Sequence, residues 1–332
     1  MLNIPTNTSK KRAPDDKINH VIGLFKKGEL QAALSQGQQL IEEYPDTALI
    51  HNFLGVCLFH EGQAEQSLYH FKEALKLDPS NPMIYNNLGN ILLDLQQYEE
   101  AQKLLTYAIE IKPDFAEAHN NLGNTMKEQK TYEKAIPHYE KAISLNSQYF
   151  EAYNNLGVAL HKLKRYEEAL NNIKKAIDLS PGFVEAYSNL GSILTDQKKY
   201  SEALQYFDKA IKINPNHAEV YNNKGTCLRE QSFLNQSIIE FDKAISLKPN
   251  YPDAYYNKGN SLNDQGHYLD ALHHYNLALN LDPDLFEAKC ERLYIKRGIC
   301  DWSEFDQLEA ELKDLGITTP AVKPFAFLFQ ED

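Results

Sequence analysis

Cysteine is scarce in this chain, with four residues among 332. Cys57, Cys227, Cys290 and Cys300 make no CxxC pair and no disulfide-framework spacing, so no cross-linked fold is expected. The pattern suits a reducing compartment. Long apolar runs are absent as well: no stretch approaches the ~18 uncharged apolar residues of a membrane span. The polar N-terminus carries Lys10, Lys11 and Arg12, but no apolar segment follows, so no secretory signal is visible. Together these absences suggest a cytoplasmic location. Basic charge is short too, the formal net charge being −12. A general nucleic-acid binder needs a basic stripe to neutralise phosphates, and adhesion to anionic lipid needs one as well. Neither nucleic acid nor membrane is expected as a partner; basic or neutral proteins fit better.

The motifs of common chemistries are also missing. There is no HExxH and no nucleophile elbow, and the repeated glycines described below stand singly, which rules out a phosphate-cradling loop among them. Eleven histidines scatter along the chain. Adjacent His273 and His274 would point to different sides of a helix, which is wrong for a shared metal. No catalytic residue, metal or cofactor is expected.

What the chain has is a period. Gly55, Gly89, Gly123, Gly157, Gly191, Gly225 and Gly259 recur every 34 residues, each in a near-copy of Tyr85-Asn86-Asn87-Leu88-Gly89. This period and content resemble the tetratricopeptide repeat. The resemblance implies an all-α TPR solenoid, a right-handed superhelix of helix-turn-helix repeats with a C-terminal capping helix. The phase of the pattern divides the chain. Residues 1–13 read as a disordered N-terminal tail and 14–285 as about eight repeats, the first degenerate. Residues 286–314 read as C-terminal capping helices, and 315–332 as a linker or tail toward a missing domain.

Each repeat reads as two helices. In residues 82–115 the first carries Tyr85, Leu88, Gly89 and Leu92 at helical spacing, and the second carries Ala101, Leu105 and Ala108 before Pro113. A helical glycine costs about 1 kcal/mol against alanine, so its sevenfold return implies a packing gain. The large partner in the second helix is Phe71, Leu105, Tyr139, Ile173, Phe207, Phe241 or Tyr275. His51 and His119 take the tyrosine slot and read as packing residues, and Cys57 and Cys227 read as core thiols. Pro137, inside a second helix, should cost a backbone hydrogen bond or introduce a kink.

One polar position recurs as strictly as the core: Asn87, Asn121, Asn155, Asn189, Asn223 and Asn257, with a partial second row at Asn90, Asn124 and Asn260. Asparagine is a poor mid-helix residue, so something retains it. These positions lie on the first helix, which lines the concave surface of this architecture. An amide both donates and accepts, so a ladder of amides can grip an extended peptide backbone. The same amides could instead bond adjacent repeats, and both readings stand at this point. Acids form rows too. Glu117, Glu151, Glu185, Glu219 and Asp253 fall in opening turns, where the macrodipole favours them. Asp94, Glu128, Asp196, Glu230 and Asp264 come late in their helices and favour basic or Ser/Thr-rich ligands. A clamp for an acidic peptide tail would need paired cations, and Lys127, Arg229, Lys224 and Lys258 are too sparse for one.

At the C-terminus, Phe325-Ala326-Phe327-Leu328-Phe329 would form an exposed apolar patch unless something covers it. The run from Tyr294 through Cys300-Asp301-Trp302 to Phe305, with Pro324-Phe325 beyond, resembles the junction in O-GlcNAc transferase-type proteins, bacterial relatives included. In that family a tetratricopeptide superhelix leads into a two-lobed glycosyltransferase. The resemblance is generic over 14–285 and specific over 294–325. It implies a parent enzyme that uses UDP-sugar donors on Ser/Thr hydroxyls. It also implies an asparagine ladder, here Asn87, Asn121, Asn155, Asn189, Asn223 and Asn257, that guides protein substrates. The chain stops where the catalytic lobes begin in that family, so it is expected not to transfer sugar itself. It reads as a protein-interaction scaffold and substrate-recognition region, its C-terminal tail meeting a catalytic domain or partner. The alternative is a stand-alone adaptor or co-chaperone-like scaffold.

Overall fold

The computed structural model describes residues 13–298, and among these are seventeen α-helices and no strand. The chain divides into two compact units, Met1–Ser180 and Pro181–Asp332. The first unit is five helical hairpins: α1 Asp15–Lys26 with α2 Leu30–Glu43, α3 Ala48–His60 with α4 Ala64–Leu77, α5 Pro82–Asp94 with α6 Tyr98–Ile111, α7 Ala116–Glu128 with α8 Tyr132–Leu145, and α9 Phe150–Lys162 with α10 Tyr166–Leu179. The second is three: α11 Val184–Asp196 with α12 Tyr200–Ile213, α13 Ala218–Glu230 with α14 Leu234–Leu247, and α15 Pro252–Asp264 with α16 Tyr268–Leu281. A last helix, α17 Phe286–Gly298, follows them. None of the described helices is long and apolar enough to cross a membrane.

Within a hairpin, the large residue of the second helix dictates the glycine of the first. A Cβ built on Gly123 would stand 2.7 Å from the Tyr139 ring, and one on Gly157 or Gly191 would stand 2.6 Å from Ile173 or Phe207. The same juxtaposition joins Gly55 to Phe71, Gly89 to Leu105, Gly225 to Phe241 and Gly259 to Tyr275. All seven large residues are fully buried and have little room to yield. Overpacking such a site costs about 1–3 kcal/mol, which outweighs the ~1 kcal/mol of helix propensity that glycine forgoes.

The first hairpin exchanges these sizes. Val21 occupies the glycine slot and Gly37 the slot of the large residue. Val21 is buried, and a Cβ on Gly37 would meet Leu54 of α3 at 2.7 Å. The degenerate repeat is therefore still a hairpin, docked on the next one by a glycine of its own.

The turn inside each hairpin needs one left-handed residue. Gly28, Gly62 and Gly266 supply it without strain, while Gln96, Lys130, Lys164, Lys198 and Ser232 adopt it with φ of 58–63°. The next residue donates its N–H back across the turn, as in Gln97 to Leu92 O (2.8 Å) and Thr131 to Met126 O (2.9 Å). That bond completes a Schellman motif and ends the first helix.

Pro137 lies on the exposed side of α8, which runs through it from Tyr132 to Leu145. Cys57 and Cys227 are buried thiols, and burial pushes Cys57 up to about 12. Ile295 of α17 packs into the cluster of Leu262, Leu272 and Tyr275, so α17 covers the last hairpin. Ala13 is buried, and its N–H donates to Thr47 Oγ1 at 3.3 Å. The rest of the expected N-terminal tail, the capping segment beyond Gly298, the Cys300-Asp301-Trp302 run and the 315–332 tail lie outside the described residues.

Candidate peptide-binding face

The polar doublet before each glycine has two members with different surroundings. The first member is buried: Asn52, Asn86, Asn120, Asn154, Ser188 and Asn222 are 4–7 % exposed. A buried polar side chain without a partner would cost about 1–3 kcal/mol, and for Asn52, Asn86, Asn120, Ser188 and Asn222 the following repeat supplies one. In the first unit Asn87 Nδ2 donates to Asn52 Oδ1 (3.2 Å), Asn121 to Asn86 (3.0 Å) and Asn155 to Asn120 (3.1 Å). In the second, Asn223 Nδ2 donates to Ser188 Oγ (3.0 Å) and Asn257 to Asn222 Oδ1 (3.0 Å). Asn189 holds the same position of α11, half-buried, and is not without a partner.

The row thus bonds adjacent repeats, and those bonds orient what remains of each amide. With one N–H committed backwards, the Oδ1 of Asn121, Asn155, Asn223 and Asn257 receives no hydrogen bond from any described residue. These side chains are half-buried on the first-helix face. The buried row was not picked out from sequence as a functional partner. Its signal was the doubled asparagine, as in Asn120-Asn121.

The partial second row divides. Asn124 Oδ1 accepts from the Tyr139 hydroxyl and Asn260 Oδ1 from that of Tyr275, both at 2.8 Å. Both oxygens serve the hairpin core, where a buried phenol must find an acceptor. Asn90 faces Leu105, which has no hydroxyl to offer, and no described residue bonds its amide. It borders a hollow of 270 Å³ on the first-helix face of the first unit, together with Asn87, Asn121, Asp94 and Glu117. Val56, Phe59 and Ile91 give that hollow an apolar wall, and Tyr149 closes it. Three of the nine candidate residues therefore meet in one concavity. The others are distributed along the rows.

Charges on these helices are mostly matched from within. Lys127 pairs with Glu128 (3.0 Å), Arg229 with Asp264 (2.6 Å), Lys258 with Asp242 (2.7 Å), and Lys224 with both Asp208 (3.0 Å) and Glu240 (2.9 Å). The four cations considered for an acidic-tail clamp all have carboxylate partners. Lys224 and Lys258 stand where other repeats bury leucine, and their ion pairs explain how that slot accepts an ammonium.

In four hairpins the tyrosine slot anchors the first helix to the segment before it. Tyr85 and Tyr221 donate to the carbonyls of Pro79 and Pro215 at 3.0 Å. His51 and His119 make the same bond through Nε2 to Pro45 O (3.1 Å) and Pro113 O (3.2 Å). That assigns the proton to Nε2 and leaves Nδ1 to accept from His70 (3.0 Å) and His138 (3.4 Å). Burial, with His51 adjacent, pushes His70 down to about 4, and burial with His119 adjacent also lowers His138. Among the described residues, no three His, Cys, Asp or Glu side chains gather as a metal site.

Profiles described as "Tetratricopeptide repeat" match residues 114–182, 184–217, 206–237 and 252–285, and one described as "TPR repeat" matches 57–96, 89–130 and 225–266. These matches take in more than half of the chain, which belongs to the tetratricopeptide-repeat family. No curated protein matches it. Among solved structures, a chain of the APC/C hetero-tetramer Cut9-Hcn1 superposes with a TM-score of 0.68 at 15% identity, covering 85% of this chain and 56% of that one. This chain therefore spans little more than half the length of that relative. PilF of Pseudomonas aeruginosa gives a TM-score of 0.50 at 24% identity, covering 64% of this chain and 96% of that one. YrrB, described as a TPR protein with an unusual peptide-binding site, gives 0.38 at 27% identity, covering 55% and 95%. At these values the first two likenesses show the fold alone, and the third carries no structural argument.

Proposed function

We infer that the chain is a protein-interaction scaffold that holds extended polypeptide along the first-helix face of its repeats. The single observation that carries this reading is the half-used amide row. Asn121, Asn155, Asn223 and Asn257 are each fixed by a bond to the preceding repeat and keep an acceptor oxygen for something else. Solenoids offer such extended faces to other proteins. An extended backbone presents an N–H at regular intervals, and one bond to it is worth about 1 kcal/mol net, so several rungs must act together. Such binding tolerates varied side chains.

The finer reading makes this scaffold the substrate-recognition region of an O-GlcNAc transferase-like glycosyltransferase, with the catalytic lobes outside these residues. It is supported by the Cys300-Asp301-Trp302 run and by the register of the amide row. The mass of the native protein tests it. A species far heavier than 38.0 kDa that contains this segment is expected, and one at 38.0 kDa would favour the stand-alone adaptor.

The scaffold itself is tested with a labelled, uncharged Ser/Thr-rich peptide followed by fluorescence anisotropy. Asn121→Ala with Asn155→Ala should weaken binding about tenfold, two lost bonds amounting to roughly 1.4–2 kcal/mol. The control is Asn86→Ala with Asn120→Ala, which breaks the same two inter-repeat bonds but leaves the outer amides in place. Equal losses in both pairs would reduce the row to a structural device.

A further inference from the structure

The hollow beside Asn90 carries more chemistry than a backbone grip requires, and it distinguishes one repeat from the rest. Among the three asparagines of its row, Asn124 and Asn260 answer the hydroxyls of Tyr139 and Tyr275. Asn90 answers none, since Leu105 stands opposite, so the hairpin core gives no account of it. Of the two carboxylates at the rim, Glu117 stands in the first turn of α7, where the helix dipole favours it, while Asp94 ends α5 with no such support. Three of their counterparts in other repeats are neutralised internally: Glu128 by Lys127 (3.0 Å), Asp264 by Arg229 (2.6 Å) and Glu219 by Lys248 (2.8 Å). Asp94 and Glu117 have no lysine or arginine partner among the described residues. Asp94 is exposed on its outer side, yet the surrounding walls still desolvate it enough to lift its carboxyl above the ordinary range; His60 beside it acts the other way.

Resting on the scaffold reading above, we propose that this hollow seats an arginine or lysine side chain of the extended segment held along the amide row. The apolar wall of Val56, Phe59 and Ile91 takes the methylene stem, while the head meets Asp94, Glu117 and the Asn90 carbonyl. The occupant follows from charge complementarity: two unmatched carboxylates and an unused amide oxygen all accept, and a cationic head only donates. An acidic segment would face the same two charges and be turned away.

Three labelled peptides test this at low ionic strength, alternating serine with arginine, glutamine or glutamate. The intact chain should bind the arginine peptide tighter than the glutamine peptide, and the glutamate peptide weakest. Asp94→Asn with Glu117→Gln keeps size and hydrogen bonding while removing charge. It should weaken the arginine peptide about threefold to tenfold and leave the glutamine peptide unchanged. Asn90→Val, the residue of the same slot in α9, should act in the same direction. Because the whole chain is acidic, Glu99→Gln with Glu133→Gln serves as a control that removes as much charge from the first turns of α6 and α8. If that control weakens the arginine peptide as much as Asp94→Asn with Glu117→Gln does, the proposal fails. Equal binding of arginine and glutamine peptides also defeats it, while leaving the amide row standing. Failure of the intact chain to bind any of the three removes the row and the hollow together.

Discussion

Tyr139 and Asn124 show how one substitution in a repeat obliges another. The hydroxyl is buried in a slot that carries phenylalanine, leucine or isoleucine in most other hairpins and tyrosine again at Tyr275, and Asn124 is the acceptor that makes it admissible. Tyr139→Phe should cost about 1–1.5 kcal/mol, most of it the stranded amide. Asn124→Val in that background, the pairing that Ile173 and Val158 already make, should recover most of the loss. Urea unfolding of the two single variants and the double variant gives the coupling, and an additive result would dismiss the pairing. The same rule explains a limit of reading the row from sequence. Asn90, Asn124 and Asn260 look alike as letters, and only the residue across the hairpin separates the two that serve the core from the one that borders the hollow.

Hairpin by hairpin, the helices were legible because their cause is local. A Cβ on Gly191 would stand 2.6 Å from Phe207, so the glycine must return wherever a large residue does, and the period becomes visible. The turns were less legible. Their left-handed residue is glycine in only three hairpins, and lysine does nothing in sequence to announce φ of 58–60° at Lys130, Lys164 and Lys198. Each of these three sites should gain about 0.5–1 kcal/mol on substitution by glycine, since a β-carbon in that conformation costs roughly 1–2 kcal/mol and added chain entropy returns part of it. Thermal unfolding of Lys130→Gly, Lys164→Gly and Lys198→Gly, singly and combined, would show it. No change would mean that the turn geometry is relaxed. The exchange of Val21 and Gly37 was missed for a related reason. A motif search looks for glycine in its slot, whereas packing requires a fitting partner only somewhere across the interface.

Across the whole molecule, buried titratable groups set the pH range of stability. The fold favours neutral His70, whose pKa falls from the ordinary 6.5 to about 4, and it lowers His119, His138 and His274 in the same direction, burial being the leading cause. That contribution is complete above about pH 6.5 and is lost as pH falls toward 4. Burial raises Tyr149 to about 12 and lifts Tyr139, Tyr251 and Tyr275 as well, so their contribution is complete below about pH 10 and is lost above it. The buried thiols Cys57 and Cys227, raised from 9.0 by burial, begin to lose their contribution first, so the melting temperature should hold a plateau between roughly pH 7 and 9 and fall on both sides. His70→Asn with His138→Asn, the residue that α10 carries at Asn172, should move the acid limb to lower pH. An unmoved limb would assign it to carboxylates instead. The inter-repeat bonds have one more consequence, for the history of such a chain. Donor and acceptor recur at a separation of 35 residues in five pairs, so excising residues 116–149 would bring Asn155 opposite Asn86, the acceptor it would need. A gene could lose or duplicate such a unit and still encode matched seams, which makes the number of repeats, more than their order, the variable on which descent can act.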